Sequence, residues 1–533
     1  MTGGRPHPDT IERHAGEELR HGWRVEPFVE GTADDYARLR ALFARADYTE
    51  PTLCARHGIA SLGDFRQLRD GRGTPEPLDD ACTLLTRLFL DSETVPWDVV
   101  RTRLDADGVA VLERLGLLYT PRGHPELCRG TVLLYPTQRL WIASDVNADH
   151  DGEDIPPPVD VVYPAITAGT LRFVALMPRR RCERFVELCS GTAVAALVAA
   201  RDFADHAWAV DLTARATRFA RFNAALNGIT RFTALEGDLW APLEGLTFDR
   251  VVAHPPYMPS FETHYVFRDG GEDGEQVTRR IVGGLVRHLE PGGECFLSCM
   301  ATDRTDAPLE RRLRGMLGEG DGDFDLVVAP ERTHDPLAFD SAQAREGRID
   351  WASVGRRQAA FAEMGITQLV VGAMHFRRRA VRDAYPVLTE RRRLGTATVA
   401  EDFGWLLDRE ARIRVAALAE TPARVRPRTA PRVVVRIEHR FADDGWEAPE
   451  CEIETAAPFA AQMHCPAWFA ALLRCCDGAT PAPALLRGLQ AEGQVPGTAT
   501  LSEFVTMLLR LVDYGVLEVA EWPFVPRRGG APG

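Results

Sequence analysis

Apolar positions in the first part of the chain recur at three- and four-residue intervals. DDYARLRALFARA, LDDACTLLTRLFL, PWDVVRTRL and DGVAVLERLGLL each place one apolar face on a helix. The pattern then changes to TVLLYPTQRLWIAS, two short apolar runs about a turn, which predicts a hairpin. Helices closed by a two-stranded wing predict a mostly helical, winged-helix-like N-terminal domain over 31–150, after a loose polar leader over 1–30. The acidic, proline-ended stretch Asn147–Pro158 marks a boundary. Beyond it, short apolar runs alternate with amphipathic segments, and strands are expected at ERFVEL, HAWAVD, RFTALEG, FDRVVAH, GECFLSCM, FDLVVA and ITQLVVGAM. Alternation of this kind predicts an α/β domain over 155–380, a doubly wound, largely parallel sheet covered on both faces. A helical connector and proline-rich linker over 381–430 lead to a small α+β C-terminal domain over 431–526, with a strand at RVVVRIEH and helices after it.

Composition adds exclusions. With 45% hydrophobic and 26% charged residues, a chain of 533 residues has enough apolar material for several cores. All 63 basic residues are arginine, which removes a Walker lysine, a Schiff-base lysine and a pyridoxal-phosphate anchor together, because each needs a primary amine. A net charge of -14 argues against bulk nonspecific nucleic-acid binding. The arginine triplets at 179–181, 377–379 and 391–393 read as solvated faces or strand ends. Eleven cysteines without a CxxC pair fit a reducing, cytoplasmic setting, and the absence of a long apolar run implies no membrane partner. Cys451, His464, Cys465, Cys475 and Cys476 are spaced unlike zinc ligands, so no metal is expected and they read as small buried groups.

Candidate chemistry lies in the middle domain. Glu187-Leu-Cys189-Ser-Gly191-Thr-Ala193 ends the first strand and opens a helix, a small-residue turn whose amides can approach a ligand closely. Asp211 ends the second strand twenty positions after Gly191, where a carboxylate can accept both hydroxyl protons of a ribose. Asp238 follows the third strand and can accept from an adenine amine. The fourth strand runs into His254-Pro255-Pro256-Tyr257.

In this order and spacing the residues resemble a class I S-adenosylmethionine-dependent methyltransferase of the (Asn/Asp)-Pro-Pro-(Tyr/Phe) group. Within that group they are similar to the release-factor glutamine methyltransferases and related ribosome-directed enzymes. The resemblance spans roughly 155–380 and includes the glycine-rich segment Asp269–Gly274. It implies a Rossmann-like seven-stranded sheet and S-adenosyl-L-methionine as cofactor. The implied cofactor contacts are Glu187, Cys189, Gly191, Ala193, Asp211, Leu212, Asp238 and Leu239. His254, Pro255 and Tyr257 would act at the chemistry, with Pro256 and Tyr257 against the acceptor. The acceptor implied is a planar amide or amino nitrogen of a protein, peptide or RNA.

His254 departs from the family's Asn or Asp. A neutral imidazole can replace one carboxamide acceptor, but it can also act as a base, so O-methylation stays open. A natural-product N- or O-methyltransferase is the enzyme alternative, and a catalytically silent scaffold the alternative of another class. An arginine-lined mouth would favour a macromolecular acceptor and an apolar lid a small one. The flanking domains are expected to choose the acceptor, and a fragment of residues 155–380 to bind cofactor by itself.

Overall fold

The computed structural model describes residues 23, 25–65, 77–381, 386–442, 445–446 and 449–523, so most of the expected leader lies outside the described residues. The chain folds as two units. One comprises 1–324, 334–371 and 378–384, the other 325–333, 372–377 and 385–533.

All seven expected strands form. They are β1 (Cys182–Leu188), β2 (Ala204–Asp211), β3 (Phe232–Glu236), β4 (Phe248–Ala253), β5 (Leu289–Arg304), β6 (Phe324–His334) and β7 (Ile366–Arg378). The helices between them are α1 (Val194–Asp202), α2 (Ala214–Leu226), α3 (Gln276–His288), α4 (Leu309–Leu317), α5 (Pro336–Arg345) and α6 (Trp351–Glu363).

In the first unit the strand order is β7-β5-β4-β1-β2-β3, and β1 to β5 pair in parallel. The chain steps outward from β1 to β3 and then returns to the centre as β4. The carboxyl ends of β1 and β4 therefore diverge, which opens a crevice at the reversal point. Phe185, Val186 and Leu188 of β1 are fully buried because both faces of the sheet are covered. α1 is buried from Val194 through Ala200, its alanines allowing close approach.

The same unit includes the N-terminal module. Its helices are Ala33–Arg45, Glu50–His57, Ala81–Phe89, Trp97–Arg103 and Ala106–Arg114, and the expected hairpin forms from Leu133–Thr137 and Leu140–Ser144. α2 holds this module through side chains. Asn223 accepts from Ala143 N (2.7 Å) and donates to Ala143 O (3.0 Å) and Thr192 O (3.1 Å). Asn227 likewise clasps Trp141 N and O, at 2.9 and 2.7 Å. Arg215 forms a two-point ion pair with the buried carboxylate of Asp145. Phe28 packs on Phe219 and Phe222, with ring centroids 5.0 and 4.3 Å away. A fragment of residues 155–380 would uncover both phenylalanines and strip Asn223 of two partners. Cofactor binding by that fragment is expected provided it stays soluble, and these contacts are the interdomain burial on which its folding depends.

In the second unit a short strand, β8 (Thr389–Arg391), pairs in parallel with β6, and the order is β8-β6-β7. β8 is a short edge strand beyond the seven expected. The strand expected at RVVVRIEH forms as Val434–Glu438 and joins Glu450–Thr455 and Ala461–Pro466 in an antiparallel sheet. Helices Trp468–Cys475, Ala482–Ala491 and Leu501–Asp513 follow, and Leu517–Glu518 pairs with Arg428–Thr429. No helix among the described residues is long and apolar enough to cross a membrane.

Asn223 generates a prediction. Asn223→Ala removes three hydrogen bonds at a site with no solvent exposure and leaves the Ala143 N–H and C=O unsatisfied. We expect a loss of about 2–4 kcal/mol, read as a lower urea midpoint for the first unit. An unchanged midpoint would show that the amide is not the tie between hairpin and sheet.

Candidate active site

The crevice at the ends of β1 and β4 is a cavity of about 1870 Å³. Of the residues named from the sequence, all but Ala193 line it. Ala193 instead starts α1, fully buried behind the turn.

The turn after β1 is built from left-handed backbone. Cys189, Gly191 and Ala193 have φ of +55°, +50° and +61°. An alanine or cysteine pays sterically for this conformation, so the turn is held by its surroundings. Gly191 N donates to Asp211 Oδ2 at 2.8 Å, Thr192 O is held by Asn223, and Ala193 N bonds to Ser190 O at 2.7 Å. Glu187 does not face solvent. Its Oε2 accepts from Ala196 N at 2.7 Å at the start of α1, and burial pushes its pKa up to about 8. Cys189 serves the backbone rather than chemistry, since burial raises its thiol pKa well above the usual value.

Asp211 stands at the end of β2. Its Oδ1 accepts from Thr213 N (3.2 Å) and Thr213 Oγ1 (3.3 Å), while Oδ2 takes the Gly191 amide. Burial raises its pKa. These bonds aim a preorganised carboxylate into the cavity, and lone pairs remain for vicinal hydroxyls. Leu212, although 45% exposed, and Leu239 supply apolar surface on either side of that edge. Asp238 is engaged by Arg280, with Nη2 to Oδ2 at 2.7 Å. Any amine at Asp238 must share or displace that guanidinium. Arg280 was not visible as a site residue in the sequence, because α3 presents it as one more charged helical position. The donor set fits an adenosyl group: a carboxylate at the ribose position, a second at the base edge and leucines for the base plane.

His254 follows β4. Its ring stacks on Phe173 at 5.5 Å and 28° and lies 5.8 Å from the ring of Tyr257. No described residue hydrogen-bonds to it, and Gly169 lies close to its Cε1. Loss of hydration among these neighbours pushes its pKa down from 6.5 to about 4.

The loop after His254 is fixed by the glycine-rich segment. Tyr257 N and Met258 N both donate to Arg268 O, at 3.1 and 2.8 Å, and Gly270 N donates to Met258 O at 2.8 Å. A Cβ at Gly270 would lie 2.8 Å from both Pro256 O and Tyr257 Cα, and one at Gly274 only 2.3 Å from Tyr257 O. Glycine is needed here for close approach of two backbones. Asp269 Oδ2 caps the loop between them by accepting from His264 N and Tyr265 N, at 2.7 and 2.9 Å.

Two further segments of the first unit line the cavity that sequence patterns did not single out. One is Asp160–Phe173, which directly follows the proline-ended boundary and brings Phe173 to His254. The other is α5–α6 with its connecting turn, contributing Gln343, Arg348, Ser353, Arg356 and Arg357. α5 buries only Pro336, Asp340 and Ala344, so its apolar periodicity is too sparse to mark it as wall material. Aspartate caps were its legible signal: Asp335 accepts from Ala338 N and Asp350 from Ser353 N. The outer cavity also bears aromatic surface, with Tyr163 stacked on Phe267 at 4.7 Å and Phe261 47% exposed.

With this geometry in view, similarity to known proteins becomes specific. Residues 163–318 match the family model for the methyltransferase small domain. A release factor glutamine methyltransferase of Gloeobacter violaceus is 33% identical over 156 residues, covering 26% of this chain and 54% of that protein. A ribosomal protein uL3 glutamine methyltransferase of Bradyrhizobium diazoefficiens is 35% identical over 124 residues, 21% of this chain and 39% of that protein. Its counterpart in Burkholderia pseudomallei is 28% identical over 313 residues, 52% of this chain and 93% of that protein. The chain thus spans about half or less of the length of the first two relatives. The turn after β1, the carboxylates after β2 and β3 and the His-Pro-Pro-Tyr loop all lie within the stretch that matches the methyltransferase small domain.

Proposed function

We propose that this protein is an S-adenosylmethionine-dependent methyltransferase that N-methylates a planar amide or amino group of a protein or peptide. The observation that carries the reading is His254, unpartnered among the described residues and held neutral in the same cavity as Asp211 and Asp238. Bound S-adenosylmethionine would supply a methyl group already activated on a sulfonium sulfur. What the chain must add is orientation, a contribution that can reach about 7–11 kcal/mol.

In this reading Asp211 holds the ribose hydroxyls, Asp238 meets the adenine amine, and Leu212 and Leu239 flank the base. Glu187, Cys189, Gly191 and Ala193 shape the turn beneath. His254 accepts one N–H of the acceptor through a ring nitrogen, the Pro255 carbonyl accepts a second, and Pro256 and Tyr257 pack on the planar group. Holding both hydrogens fixes the direction of the nitrogen lone pair, which is otherwise delocalised. A histidine with a pKa near 4 is a poor general base at neutral pH but a good neutral acceptor, and this favours nitrogen over a hydroxyl.

The arginines and exposed aromatics of the outer cavity favour a macromolecular acceptor over a small apolar one. Relatives named for glutamine methylation in release factors and uL3 support a protein acceptor. The N-terminal residues 31–150 and the C-terminal residues 431–526 are assigned to acceptor choice.

Two measurements test this. Calorimetry with S-adenosylmethionine should show binding that Asp211→Ala weakens at least about tenfold, from loss of hydrogen bonds to a charged acceptor. Equal affinity would remove Asp211 from the cofactor site. For His254, the imidazole resonances should titrate with a midpoint near 4. The folded ring binds its proton less readily than the unfolded one, so this group makes stability fall as pH drops from 6.5 toward 4 and has no effect above. With a glutamine-bearing release-factor or uL3 substrate, kcat should be flat from about pH 6 to 8. His254→Asn should keep much of the activity, and His254→Ala should lose roughly ten- to a thousandfold in kcat. A midpoint near 6.5 with kcat falling below it, and an Asn variant as poor as Ala, would point to general-base O-methylation instead.

A further inference from the structure

The second unit contains its own cavity of about 470 Å³, within the size range of small-molecule sites. Its lining includes all three arginines of the 391–393 triplet together with Arg510, against Asp513 as the sole carboxylate among the described lining residues. In a chain of net charge -14 this is a local reversal of sign. Arg392 pairs with Glu390 at 3.0 Å and lies over the ring of Tyr514 at 5.2 Å, yet its buried Nε has no hydrogen-bond partner. The Nε1 of Trp405 is also buried without a partner, although its indole is fixed by stacking on Trp522 at 4.0 Å and 6°. Arg393 is exposed and forms no ion pair among the described residues. Arg510 reaches Asp513 only at 3.9 Å and stays 71% exposed.

Buried N–H groups without acceptors are unfavourable, and native structures rarely retain them unless something outside the chain accepts their hydrogens. Here the two residues that carry such donors both line one cavity, each with its side chain held by aromatic packing, and three further arginines, Arg391, Arg393 and Arg510, line it as well. The remaining wall combines an apolar part, Pro458, Phe459, Met463, Phe469 and Leu511, with the polar side chains of Gln462 and His464. We propose that this cavity is a binding site for an organic anion, an apolar body seated on Phe459, Met463 and Phe469 with its carboxylate or sulfonate at Arg392, Arg393 and Trp405. A bare inorganic anion would leave the apolar wall uncovered, and a neutral hydrophobe would leave the donors unmet. The site is independent of methyl transfer, since none of its residues belongs to the crevice of the first unit.

The experiment titrates the full-length protein with 8-anilinonaphthalene-1-sulfonate, read by fluorescence, beside the neutral N-phenyl-1-naphthylamine. The sulfonate should bind saturably and at least about tenfold more tightly than the neutral probe, because charge-assisted hydrogen bonds are available to it alone. Arg393→Ala should weaken the sulfonate about tenfold and leave the neutral probe unchanged. Its thermal midpoint should not move, because Arg393 is exposed. Trp405→Phe retains the aromatic stack and removes the N–H, and should weaken the sulfonate several-fold. Sodium benzoate should displace the probe where equimolar phosphate does not. Equal affinity of the two probes, or no change in both variants, would overturn the proposal. Displacement by phosphate as readily as by benzoate would overturn the requirement for an apolar body.

Discussion

One primary amide connects the architecture to the site. Asn223 has no solvent exposure, and its side chain satisfies both backbone groups of Ala143 in the N-terminal hairpin and the carbonyl of Thr192 in the turn after β1. A buried strand edge needs a partner for each polar group. Here a helix side chain supplies what a neighbouring strand would otherwise supply. The same amide limits movement of a turn whose residues occupy an unfavourable region of backbone space. Without that restraint, Cys189 and Ala193 would have every reason to relax toward ordinary helical or extended angles.

The charges at the crevice follow from the same economy of backbone groups. Glu187 and Asp211 each accept a main-chain N–H from the turn or from α1, so each carboxyl is a structural group before it is a binding group. Burial works against their ionisation and raises both pKa values. In the proposed reading the sulfonium and ammonium of the cofactor bring positive charge near this pair. Arg280 at Asp238 compensates the outermost carboxylate in the meantime. His254 is treated in the opposite way: it is dried and surrounded by rings, which keeps it uncharged.

The strands and the order of the motifs were legible in the sequence because strands buried on both faces read as short apolar runs, as LVVA within FDLVVA and LVV within ITQLVVGAM do. The turn was legible by composition although not by its glycines. Cys189 and Ala193 take the left-handed angles that glycine would adopt without strain, and their hold comes from distant partners that no local pattern reveals. The walls were harder to see. Phe173 reaches His254 from a helix that looks like an ordinary amphipathic segment, and α5 has too few buried apolar positions to stand out. The contacts between the middle domain and the N-terminal module were hard to read for a related reason. Phe219 and Phe222 look like core residues of their own helix, whereas what covers them includes Phe28, nearly two hundred positions earlier in the chain.

The glycines at 270 and 274 tie two stretches of chain into one heritable unit. Because a single added methyl at either would strike the carbonyls of Pro256 or Tyr257, the His254–Tyr257 loop and the segment that braces it cannot drift separately. If this loop meets the acceptor as proposed, exchanging its preference by recombination or design requires residues 254–274 to move across as one cassette. Transplanting the four-residue motif alone would deliver its side chains onto a scaffold that does not hold them.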